Sequence, residues 1–124
     1  MTVRISAEEM EKYKRTARRR WQREQVEQQA RREQAWQLAR QAATLLERDF
    51  DVERVVVFGS LIHPGRFNAS SDVDLAAWGL TPNNWLKAMA AVRNLSDEID
   101  LNLVDVECSS PELLKVIERE GVPL

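Results

Sequence analysis

The chain is 124 residues long and 44% hydrophobic, enough for one folded core and too short for a second domain. A single cysteine excludes an internal disulfide, and no apolar run approaches the length that a membrane span needs, so a soluble protein of the reducing cytoplasm is expected. The net charge of −2 hides a division: Met1 to Glu33 carries ten Lys or Arg against six acids, net +4, whereas Gln34 to Leu124 carries eight against fourteen, net −6.

The first predicted element is a long helix. Ser6-Ala7-Glu8-Glu9 forms a capping box, and from there to about Arg48 neither Gly nor Pro interrupts a string of good helix formers. Its distal part carries Ala35, Leu38, Ala39, Ala42, Leu45 and Leu46 at helical spacing, the pattern of a helix packed on a sheet. Its proximal part is sparser, with Met10, Tyr13, Ala17, Trp21 and Val26 separated by charge. That strip is too thin for a core helix, so residues 1–33 are expected to form a helical arm and residues 34–124 the folded domain. Charge runs are usually solvated faces, which makes a solvated helix the plain reading of the arm. Tyr13, Ala17 and Trp21 recur every four residues, however, and offer aromatic anchors on one face, as docking helices do. Arg18-Arg19-Arg20 and Arg31-Arg32 would suit phosphates, but interleaved Glu and Gln dilute that field, so a protein is the expected partner and nucleic acid is not.

After the helix, the β-rich run Arg54–Phe58 predicts a strand, Ser60–His63 a short helix or turn, and Pro64–Ser71 a loop. A second strand is predicted near Val73–Trp78, a helix from Asn83 to about Arg93 after Thr81-Pro82, and a third strand near Ile99–Val106. Ser110-Pro111 starts a last helix that Gly121 stops. His63, the only histidine, reads as a loop residue, and Cys108 as a small, partly buried one. The expected fold is α/β, a small mixed sheet with helices packed against it and a long N-terminal helix.

The chemistry sits between the first two strands. Gly59-Ser60 is followed after eleven residues by Asp72-Val73-Asp74. On a strand, side chains alternate faces, so Asp72 and Asp74 share one side while Val73 and Leu75 take the other. Two carboxylates held so close repel one another unless a cation lies between them. Gly59 permits a tight turn whose backbone approaches phosphate oxygens, and Ser60 opens a short helix whose first amides point at a ligand. Downstream, Asp100 stands at an alternating position opposed to Ile99 and Leu101, from which it would join the pair from an adjacent strand as metal ligand and base toward an acceptor hydroxyl. Taken singly, a Gly-Ser turn or an Asp-x-Asp pair is most often structural; two magnesium ions held by shared carboxylates are a known means of neutralising a triphosphate and its leaving pyrophosphate in nucleotidyl transfer.

From about Ala35 to Leu124 the pattern resembles the minimal nucleotidyltransferase family of the DNA polymerase β superfamily. The resemblance rests on Gly59-Ser60, Gly65, Ser71-Asp72-Val73-Asp74-Leu75, the strand containing Asp100, and the ending Pro111-Glu112-Leu113-Leu114 with Gly121-Val122. It implies that Gly59, Ser60, Gly65 and Ser71 contact the nucleotide and that Asp72, Asp74 and Asp100 are the catalytic, metal-holding carboxylates. ATP would be the substrate and Mg2+, as two ions, the cofactor. The chain departs from the family at two places: one residue more than usual separates Gly-Ser from Asp-x-Asp, and His63-Pro64 stand where an Arg commonly precedes the glycine.

Larger relatives bring a further domain to bind the acceptor, so here another protein is expected to bring it. In the family resembled, the minimal nucleotidyltransferase is an antitoxin whose partner, a HEPN-domain ribonuclease toxin, is adenylylated on a tyrosine. The expected function is therefore AMP transfer from Mg-ATP to that tyrosine. Two alternatives stay open: a non-catalytic antitoxin acting by occlusion, which needs the arm but not the carboxylates, and a transferase for a small hydroxylated molecule, which needs the carboxylates but no arm.

Overall fold

A computed structural model describes residues 4–124; the first three residues of the expected arm lie outside the described residues. The longest element is α1, Ala7–Phe50, a single 44-residue helix. Ser6 caps it by accepting a hydrogen bond from the Glu9 amide at 3.1 Å, with Glu8 and Glu9 favourably placed in the first turn. Asp51 ends the helix in the left-handed region at φ 55°, its amide returning to the Leu46 carbonyl.

Four strands make the mixed sheet: β1 (Arg54–Phe58), β2 (Val73–Trp78), β3 (Leu101–Asp105) and β4 (Val122–Pro123), in the spatial order β3-β2-β1-β4. β1 pairs antiparallel with β2 and β4, and β2 pairs parallel with β3. β4, only two residues long, is absent from the sequence reading. It is added to the sheet because α3 (Pro111–Glu120) stops at Gly121 and the chain turns back along β1, pairing Val57 with Val122. A Cβ at Gly121 would stand 2.9 Å from Val56, so only glycine lets the chain pass.

The sheet is buried on both faces, which is why β1 reads as an unbroken apolar run and not as an alternation. Val55, Val57, Val73, Leu75, Leu101 and Leu103 face the distal half of α1 and α2 (Pro82–Arg93). Val56, Phe58 and Ala76 face the other way, toward Val106 and Ile117 of the α3 side. Ala35, Ala39 and Ala42, all fully buried, let the backbone of α1 approach the sheet closely. Thr81 and Ser110 cap α2 and α3 through bonds from the Asn84 and Leu113 amides, each with Pro at the following position.

The proximal half of α1 has other surroundings. Every residue from Arg4 to Ala30 is exposed, including Tyr13 at 72% and Trp21 at 61%. From Ala7 to Ala30 this is about 36 Å of helix standing clear of the body, at about 1.5 Å per residue. The first residues to meet the body are Arg31 and Arg32. None of the described helices is long and apolar enough to cross a membrane.

Candidate active site

Gly59 follows β1 with φ at 79°, opening the one-turn 3-10 segment Gly59–Ile62. β1 and β2 pair Phe58 with Asp74, so this turn lies directly over the second carboxylate. A Cβ built at Gly59 would stand 2.5 Å from Asp74 Oδ2, so a side chain here would meet the carboxylate as well as the forbidden φ. The turn and the carboxylate pair, expected to be near one another, are in contact.

Asp72 and Asp74 flank Val73, which is fully buried on the opposite face, and both carboxylates are half-buried. Burial pushes the Asp74 carboxyl above its ordinary range, the Asn102 hydrogen bond opposes this, and the charge of Asp72 adds to it. Asn102 lies opposite Asp74 in the β2–β3 register. Its Nδ2 donates to Asp72 Oδ2 at 3.4 Å and to Asp74 Oδ1 at 3.3 Å, while its Oδ1 accepts from Arg93 Nη2 at 3.5 Å.

Asp100, expected on the third strand beside the pair, lies exposed on the residue before β3, where its carbonyl accepts the Val73 amide at 2.9 Å. Among the described residues no three His, Cys, Asp or Glu side chains stand together as a metal-holding group. The side chain that reaches both carboxylates belongs to Asn102. Asp100 and Asn102 share one strand face by alternation, and only the pairing of β2 with β3, about thirty residues apart in sequence, distinguishes them.

The loop from His63 to Ser71 is tied internally. Ser71 accepts from the Asn68 amide at 3.0 Å and donates to the Arg66 carbonyl at 3.3 Å, so its hydroxyl shapes the loop. Gly65 has φ at 82° and open space where a Cβ would be; backbone conformation accounts for glycine there. Phe67 anchors the loop in the core. His63 Nε2 lies 3.4 Å from Glu120 Oε2 at the end of α3. Cys108 is exposed and not partly buried, with its thiol pushed up chiefly by the charge of Asp105.

Arg31 and Arg32, which in sequence would suit phosphates, brace this loop. Arg32 Nη2 donates to the Leu61 carbonyl at 3.3 Å, and Arg31 donates to the carbonyls of Asn68 at 3.1 Å and Glu98 at 3.4 Å. The Arg31 guanidinium also lies over the Phe67 ring, 5.8 Å from its centroid. Two consecutive residues of α1 thus hold both ends of the loop and the approach to β3. The arm therefore leaves the body at the end of the sheet where β1 stops and β2 and β3 begin, on the face opposite the one that carries Asp72 and Asp74.

A glycine turn thus lies pressed onto one of two paired carboxylates at the end of a mixed sheet. The family model for "Polymerase beta, Nucleotidyltransferase" matches residues 40–124, and the chain belongs to that family. No curated protein matches the chain.

Proposed function

We propose that this chain is the nucleotidyltransferase antitoxin of a two-component toxin–antitoxin system, transferring AMP from Mg-ATP to a tyrosine hydroxyl of a HEPN-domain ribonuclease. The placement of the arm supports this reading most directly. Ala17 precedes the buried Ala35 by about five helical turns, so the exposed stripe of Met10, Tyr13, Ala17 and Trp21 lies on the same side of α1 as the body. A protein docked along that stripe would reach the end of the sheet that carries Gly59, Asp72 and Asp74, around which a side-chain hydroxyl can be presented to the nucleotide.

The donor set fits the nucleotide and its cation: Asp72 and Asp74 offer hard oxygen ligands on one strand face, and the backbone at Gly59 comes within touching range of Asp74. Magnesium, when bound, would neutralise the triphosphate and the departing pyrophosphate. Gly59 and Ser60 would seat the phosphate chain against backbone amides, with Gly65 and Ser71 keeping the neighbouring loop in shape. In the transfer, the tyrosine oxygen bonds to the α-phosphorus, the bond to pyrophosphate breaks, and the hydroxyl proton passes to a carboxylate. Asp100 is the group proposed to take it, being exposed at this edge and without a side-chain hydrogen bond among the described residues. Incubation with Mg-ATP and a HEPN ribonuclease should raise the intact mass of the ribonuclease by AMP units; an unchanged mass in a stable complex would reject the enzymatic reading.

One observation favours a second reading, an antitoxin that acts by occlusion. The side chain bridging the two aspartates is the amide of Asn102, which supplies neither charge nor a base.

A further inference from the structure

On the arm we propose a second binding site: Lys12, Arg15, Arg19 and Arg23 form a cationic strip that takes the phosphate backbone of a nucleic acid. The four follow one another at spacings of three or four residues, so they line one side of α1 over about 16 Å, at about 1.5 Å per residue. At about 3.6 residues per turn, that side lies opposite Met10, Tyr13, Ala17 and Trp21, and so opposite the side of α1 that meets the body. All four side chains are exposed, and among the described residues none of them makes an ion pair. The acids of the arm, Glu8, Glu9, Glu11, Glu24 and Glu27, stand in the turns before and after the strip, while Lys14, Arg18 and Arg20 add further cations within its length.

Solvation alone accounts poorly for this pattern. A helix standing in water is favoured by opposite charges at i,i+4, whereas Arg15, Arg19 and Arg23 set like charges at that spacing twice over and weaken it. A polyanion along the strip relieves the repulsion. The fit is to phosphate and not to a protein surface: between Lys12 and Arg23 this side of the helix carries only the four cations and Gln22, with no apolar or aromatic residue to form a desolvated interface core. Three of the four are Arg, whose planar guanidinium forks onto phosphate oxygens. The body, net −6 from Gln34 to Leu124, repels a polyanion, and the strip faces away from it. The apolar stripe stays free for a protein on the other side of the same helix. Such a site reads charge and not base sequence.

The test is fluorescence anisotropy of a labelled oligouridine RNA titrated with the full chain across a salt series, beside a labelled DNA duplex and a poly-glutamate peptide of equal charge. Wild type should bind the RNA with a slope of log K against log salt of about −3, four phosphates at about 0.7 each. Replacing Lys12, Arg15, Arg19 and Arg23 together by Gln should weaken binding at least about tenfold and remove most of the slope, and each replacement alone should lower the slope by about 0.7. Gln is a good helix former, so circular dichroism should show the arm still helical; should the fourfold variant fold poorly, the slopes of the single variants decide. Lys87→Gln, which removes an exposed cation from the body, should leave RNA affinity unchanged. So should saturating Mg-ATP at matched ionic strength, which separates this site from the carboxylate pair. Binding of either nucleic acid supports the proposal, and the tighter one identifies the form preferred. Absent or salt-independent binding of both, an unweakened fourfold variant, displacement by Mg-ATP, or equal loss in Lys87→Gln would overturn it. Poly-glutamate bound as tightly as nucleic acid would overturn it too, making the strip a site for an acidic protein.

Discussion

The two halves of α1 share one continuous backbone and one angular face, yet the distal half is buried and the proximal half bare. Beyond Arg32 the face is made of Ala and Leu, small or aliphatic groups that fit against a sheet. Before Arg31 the same face carries Met10, Tyr13, Ala17 and Trp21, set among charged residues and exposed. From Lys12 to Arg23 every charged residue is basic, so within that stretch no i,i+4 ion pair forms. One half of the helix serves stability, and the other, from Arg4 to Ala30, is exposed along its length.

The largest test of that division concerns chemistry in the body. Replacing Asp72 and Asp74 together by Asn should abolish AMP transfer, because the amides cannot neutralise a cation, while circular dichroism shows an unchanged fold. Next in size is stability. Leu46→Ala, at a fully buried position, should lower the unfolding free energy by about 2–5 kcal/mol, whereas Trp21→Ala should leave it within about 0.5 kcal/mol in the same denaturant titration. Equal losses would mean that the arm is part of the fold.

Trp21→Ala should instead weaken binding of the protein partner, by about 2 kcal/mol in a calorimetric titration if the aromatic is an interface anchor. Truncation sharpens the boundary. Removing residues 1–30 should leave Mg-ATP binding unchanged, while removing Arg31 and Arg32 as well should weaken it and speed amide exchange across Leu61–Asn68, since the loop loses its braces.

The smallest effect is electrostatic. Burial raises the Asp74 carboxyl above its unfolded value, so the ionised form costs stability in the folded protein. That cost is absent below the unfolded pKa and is felt in full once pH exceeds the raised, folded one. Asp74→Asn should therefore be at least as stable as wild type at neutral pH and should lack the gain in stability that wild type makes as pH falls through the Asp74 titration, as thermal melts across pH would show.

Much of this was legible in the sequence because the signals are local. The cap at Ser6, the alternation through Val73, and the Pro and Ser starts of α2 and α3 are short-range patterns, and each element formed where its pattern lay. The Asp72–Asp74 pair followed from strand periodicity alone. What escaped depends on register and long-range packing. Asp100 and Asn102 have the same parity, and nothing within β3 says which of them faces Asp74. Arg31 and Arg32 look in sequence like any solvated charge, and their carbonyl partners are up to 67 residues away. β4 is too short to carry a pattern and exists through its pairing with β1.

The central claim is best tested with α-labelled ATP, magnesium and a HEPN ribonuclease, followed by peptide mapping of the label. The account predicts label on a tyrosine of the ribonuclease, lost when Asp72 and Asp74 are replaced and reduced when Trp21 is. A ribonuclease fully bound and fully silenced, yet carrying no label, would contradict it and leave occlusion as the mechanism.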